Sequence, residues 1–158
     1  MARKLKIAGF ILALLTLGLF RESLFVNINA ALYYKYYEPG QENNVVQGFW
    51  SFLNSFSYLF LYRSKWVITF AFVFLFWLLQ KAFITFLFRE KKALFWLGML
   101  YLSLLLLAGI SFGAGWLFGN LEQGYRFSRI CMGLLQSPVP CMVLIPLTYF
   151  YKQNQPNI

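Results

Sequence analysis

The sequence contains no histidine and no aspartate. That removes the commonest general base, histidine metal sites and aspartate-dependent phosphoryl chemistry. A cysteine nucleophile would have no histidine partner. Lys81 has no serine three or four residues away to form a Ser-Lys dyad. Charge is scarce as well: 12% of the 158 residues are charged, against roughly a quarter in soluble domains. The five glutamates, Glu22, Glu38, Glu42, Glu90 and Glu122, are mostly in loops or at segment ends beside bases, which marks them as surface groups. Cys131 and Cys141 are the only cysteines and stand ten residues apart in the last apolar run. A straight helix would separate them by about 15 Å, too far for a disulfide, and they read as small packing residues. These absences argue against an enzyme, and no metal or cofactor is expected.

What is present is apolar: 60% of the residues, in long runs at near-regular intervals. Five segments can be marked, at about 5–26, 45–62, 66–88, 93–118 and 130–151, against the roughly 20 residues that a membrane span requires. The pattern predicts an all-α, polytopic membrane helix bundle forming one domain over 1–158. Four transmembrane helices, at about 5–26, 66–88, 93–118 and 130–151, are joined by one interfacial amphipathic helix, 45–62. Five spans are the alternative. In segment 45–62, Gln47, Ser51, Asn54, Tyr58 and Tyr62 recur at spacings of four, three, four and four, which aligns them on one helical face. Such a helix lies in the interface with its polar face wet, or spans with that face turned to its neighbours. Only Arg63-Ser64-Lys65 separates it from the next run.

The N-terminal run has the basic start and apolar middle of a signal peptide but Phe20-Arg21-Glu22 where a cleavage site would stand. It reads as a retained first helix. Residues 27–46 contain Pro39-Gly40, a polar Gln41–Asn44 stretch and "ALYYKYY", and read as an external loop against the membrane, with tyrosines at headgroup depth.

Net charge is +9. The bases flank apolar runs, so lipid phosphate is the expected partner and nucleic acid is not. With four spans, bases divide seven to six between the two sides. The clusters at 3–6 and 89–92, immediately beside span ends, place the N-terminus inside. Arg126 and Arg129, with Arg21, Arg63 and Lys65, would form an external basic collar for lipid headgroups or an anionic ligand. Glu122 could pair with Arg126 one turn away. Lys81 lies inside a span, where a charge is a functional candidate, yet it is close enough to the inner end to extend to the interface. Gln80 beside it could bond to a neighbouring helix. Gly109-x-x-x-Gly113 and Gly115-x-x-x-Gly119 suggest a close-packed seam within the bundle.

The last segment, "LLQSPVPCMVLIP", places Gln136, Pro138, Pro140 and Pro146 in apolar surroundings. Each proline removes a backbone donor and clashes with the preceding turn. Stopping the helix at Gln136 would leave a piece of only about 21 Å, short of the hydrocarbon core. A span interrupted near 136–140 is therefore expected, with polar groups supplying donors to the freed carbonyls of 134–136.

The ending "RFSRICMGLLQSPVPCMVLIPLTYFYKQ" resembles the C-terminal segment of small bacterial exosortase-associated membrane proteins. The matching positions are Arg126-Phe127 or Arg129, Gln136, Pro138, Leu144-Ile145-Pro146 and Tyr149–Tyr151. "FRESLFVN" at 20–27 and "REKKALFWLGMLYLSLLLL" at 89–107 are similar to the family's first external junction and third span. Segment 45–62 and the Ser137 between Gln136 and Pro138 depart from its pattern. The resemblance implies a multi-pass protein of the bacterial inner membrane that serves as a non-catalytic partner of exosortase, the protease-transpeptidase that processes C-terminally tagged exported proteins. Exosortases themselves use Cys, Arg and His. Two other classes stay open: a small transporter or lipid-handling protein with Lys81, Gln136 and the proline break lining one cavity, and a membrane enzyme holding a lipid-linked anionic substrate on the external arginines.

Overall fold

A computed structural model of the chain describes residues 2–37, 46–88 and 90–153. It is all-α. Five α-helices follow one another: α1 (Ala2–Tyr37), α2 (Tyr58–Phe88), α3 (Lys91–Leu117), α4 (Leu121–Leu135) and α5 (Val139–Gln153). A 3-10 helix, Gly48–Ser55, lies between α1 and α2. Helices α1, α2 and α3 are each long and apolar enough to cross a membrane, and α4 with α5 passes the same test as one span bent by 60°.

Helix α1 runs eleven residues beyond the expected end at 26, because Ile28 and Ala31 are buried, so the first part of the predicted external loop is helical. The rest of that loop, 38–45, lies outside the described residues. Segment 45–62 is not one amphipathic helix. Its middle is the 3-10 helix, and Tyr58–Tyr62 form the first turns of α2, which continues unbroken through Arg63-Ser64-Lys65. The five-span alternative fails with it. Asn54 does not point its amide to water; it exchanges hydrogen bonds with the Val46 backbone at 2.9 and 3.3 Å. Ser57 opens α2, its carbonyl accepting from Leu61 N and its hydroxyl from Phe60 N. Short polar side chains that bond the backbone locally compete with helix in this way.

The chain divides into two compact units, residues 15–72 and residues 1–14 with 73–158. In the first, Ile28 and Ala31 of α1 pack with Val46, Leu53 and Leu61. In the second, α3 buries Ala93, Leu97, Tyr101, Ala108 and Gly115, a stripe of spacing four, four, seven and seven that keeps one face inward. Against it stand Cys131 and Leu135 of α4, and Pro140, Cys141, Leu144 and Thr148 of α5. Helix α2 contributes Val73, Phe76, Gln80, Phe83 and Ile84 to this unit's buried set.

Helices α3 and α4 form a hairpin closed by Gly119, whose φ of 69° suits glycine. Just before the turn the two backbones touch. A Cβ on Gly115 would stand 2.8 Å from Gly124 Cα, and one on Gly124 would stand 2.5 Å from the Ser111 carbonyl oxygen. The close glycine contact is thus Gly115 with Gly124 and not either of the expected patterns within α3. Gly109 and Gly113 have open space around them, and Gly119 ends the helix. At the far end, Tyr151 of α5 meets Trp96 edge-on at 4.9 Å and accepts from Lys92 Nζ at 2.9 Å, while Lys152 pairs with Glu90 at 3.3 Å. The interrupted helix therefore runs antiparallel to α3 along its whole length. It is a broken span and not a re-entrant loop. Arg3 donates to the Leu87 carbonyl and Phe10 packs on Phe83 and Phe86. The start of α1, the α2–α3 junction and the end of α5 accordingly share one end of this unit.

Candidate functional site: the interrupted helix

The break occupies Gln136-Ser137-Pro138, and its polar groups are closed from within. In an unbroken helix, residues 138 and 140 would donate to the carbonyls of Leu134 and Gln136, and proline cannot. Ser137 Oγ takes over at Leu134, donating at 2.7 Å, and the same oxygen accepts from Val139 N at 3.3 Å. One hydroxyl thus ends α4 and caps α5. Gln136 N still donates to Met132 O at 3.2 Å. The Leu135 carbonyl, which Val139 N would otherwise serve, accepts from Tyr101 OH of α3 at 3.0 Å. The Ser137 carbonyl accepts from Gln80 Nε2 of α2 at 2.7 Å. Side chains of neighbouring helices thus serve the break at 135 and 137, while Leu134 is served by the break's own Ser137; of the expected carbonyls 134–136, the first two are met in this way.

Pro138 and Pro140 cost little here because α5 restarts at Val139. Both sit at the opening of α5, where backbone N–H groups have no intrahelical acceptor, a position that proline tolerates. Pro146 lies within α5 on its exposed side. Gln136 and Gln80 are both buried. Gln80 Oε1 is enclosed without a donor among the described residues, so the amide is bonded through its nitrogen alone.

Lys81 does not belong to this site. It is exposed, with Nζ 5.0 Å from the Trp77 ring centroid, while Gln80 next to it faces the break. Lys81 is thus exposed while Gln136 and Pro140 are buried, which does not favour one cavity lined by all of them. Arg126 and Arg129 lie exposed on α4, and the Glu122–Arg126 pair is not made. In the other unit, Arg21 pairs with Glu22 at 3.1 Å and lies 5.2 Å from the Phe25 ring, and Lys65 Nζ donates to Asn29 Oδ1 at 2.7 Å. Arg63 is exposed at the edge of an apolar groove. Cys131 and Cys141 are buried free thiols. No three His, Cys, Asp or Glu side chains converge among the described residues.

Sequence reasoning missed Tyr101, Ser137 and Gly124. Ser137 carried a signal, since a serine beside proline is a natural helix cap. Tyr101 carried none, because tyrosine in a span is also an ordinary interface residue. No family model matches the chain, and neither a curated protein nor a solved structure is similar to it at a significant level.

Proposed function

We propose that this chain is a non-catalytic accessory protein of the bacterial cytoplasmic membrane, the partner of an exosortase-type sorting enzyme, with its N-terminus cytoplasmic. The observation that carries the reading is the closed break. A transporter uses an interrupted helix by leaving carbonyls and helix ends open to its cargo. Here the carbonyls of Leu134, Leu135 and Ser137 are already taken by Ser137, Tyr101 and Gln80. The break acts as a fixed corner that aims α5. The outward face of α5 is apolar, with Met142, Val143, Pro146, Leu147 and Phe150 exposed, and a rigid apolar face suits a partner helix in lipid as well as lipid itself. The cytoplasmic assignment rests on Arg3, Lys4, Lys6, Lys91, Lys92 and Lys152 at one end of the larger unit. The exosortase assignment rests on the sequence resemblance.

The test is co-expression with an exosortase and a C-terminally tagged substrate, with a photo-crosslinking residue at Phe150 or Met142. A discrete crosslink to the exosortase, and slower substrate processing when this chain is deleted, are expected. Unchanged processing with crosslinks only to lipid would overturn the reading.

A further inference from the structure

The smaller unit holds a groove of about 810 Å³, within the range typical of ligand sites. Its walls are Leu24 and Ile28 of α1, Trp50 and Leu53 of the 3-10 helix, and Val67 and Ile68 of α2. Polar groups gather along one stretch, where Ser57, Arg63 and Ser64 line it. The wall made by the 3-10 helix is held in place. Trp50 Nε1 donates to Ser23 Oγ at 2.9 Å, Lys35 Nζ donates to the Asn54 carbonyl at 3.0 Å, and Asn54 clasps Val46. The groove is built into the fold.

Helix length sets its depth. The 31 residues of α2 reach about 46 Å, well beyond a hydrocarbon core of about 30 Å. Counting about 20 residues back from Phe88 leaves Ser57–Ser64 outside the core and Val67 and Ile68 at its margin. Tyr58 and Tyr62, stacked at 6.2 Å, suit headgroup depth. The groove thus has its cation where lipid phosphates lie and its apolar walls where acyl chains begin. Of the three bases in this unit considered for anions, Arg21 is held by Glu22 and Lys65 by Asn29. Arg63 meets no carboxylate among the described residues.

We propose that this groove is a binding site for an anionic phospholipid, one acyl chain lying along Leu24, Val67 and Ile68 and the phosphate held by Arg63. A guanidinium binds phosphate through paired donors, and Ser64, the next residue on α2, adds a hydroxyl close to that level. The site is independent of the accessory role and stands or falls separately from it.

Trp50 is the probe. A full-length variant with Trp66, Trp77, Trp96 and Trp116 replaced by Phe is placed in phosphatidylcholine nanodiscs, and brominated phosphatidylglycerol or brominated phosphatidylcholine is titrated in. Bromine on a bound chain quenches Trp50, and the expected preference for phosphatidylglycerol is about fivefold, the effect of one well-placed base. Arg63→Gln should bring the two lipids to parity, and Arg126→Gln should leave the preference intact. Equal quenching by both lipids in the parent, or a preference that survives Arg63→Gln, overturns the site. So does equal loss in Arg126→Gln, which would mean diffuse surface charge. Native mass spectrometry of the protein with all its tryptophans supplies a second readout: phosphatidylglycerol should stay bound to the parent through delipidation and be lost from Arg63→Gln, and equal retention by the two overturns the proposal.

Discussion

Replacing Tyr101 by phenylalanine removes one oxygen and leaves the Leu135 carbonyl at the break without its donor. The ring still fills its place, so the loss is the hydrogen bond, worth about 1 kcal/mol and up to about 1.7 within membrane bundles. Gln80→Leu removes the donor to Ser137 but also removes an enclosed, unpartnered Oε1. The two effects oppose each other, so Gln80→Leu should destabilise less than Tyr101→Phe in detergent unfolding. The reverse order would mean that Oε1 has a partner, such as a buried water. At the hairpin, Gly115→Ala or Gly124→Ala must push backbones apart and should cost about 1–3 kcal/mol. Gly109→Ala and Gly113→Ala meet open space and should be neutral or slightly stabilising, since alanine is the better helix former. Equal effects at all four glycines in the same unfolding assay would remove the close contact as their cause.

Among the elements, the broken span was legible because proline acts locally: a missing N–H and a ring clash follow from the residue itself. Segment 45–62 was misread because five polar residues matched a helical period, while the winning interactions were local bonds from Asn54 and Ser57 to backbone. The extension of α1 was missed because tyrosine and asparagine suggested a loop, whereas burial of Ile28 and Ala31 keeps the helix going. Pro138→Ala with Pro140→Ala returns two donors, to Leu134 and Gln136, the first in competition with the bond from Ser137. The double variant should insert normally and straighten the 60° bend. Spin labels at Phe127 and Phe150 would then move apart. In the co-expression assay, processing should fall because α5 is re-aimed. An unchanged distance would show that the side-chain bonds, and not the prolines, hold the angle.

For the whole molecule, the antiparallel run of α4 and α5 along α3 places Lys92 and Gln153 at one end of the larger unit and Asn120 at the other. In a background lacking Cys131 and Cys141, single cysteines at Lys92 and Gln153 should label from the same side of the membrane. A cysteine at Asn120 should label from the opposite side. Labelling of Gln153 from the side of Asn120 would make α4–α5 a re-entrant loop. The clusters at 3–6 and 89–92 point only to the side of the N-terminus; the side of Gln153 could not be read from charge, since four and five spans divide the bases seven to six alike.

The sequence by itself determined the helical class, the apolar spans and the place of the break, because length, hydropathy and proline chemistry depend on each residue and its near neighbours. It left open which face of each span turns inward. Helix α3 is apolar on all sides, and such a helix carries no amphipathic signal. Only tertiary packing selected Ala93, Leu97, Tyr101, Ala108 and Gly115 as its inner stripe. The same packing chose Gly124 as the partner of Gly115, and Tyr101 and Gln80 as donors to a helix 34 and 57 residues further along the chain. Those choices rest on contacts between distant segments, which shape and hydrogen-bond geometry decide and hydropathy does not.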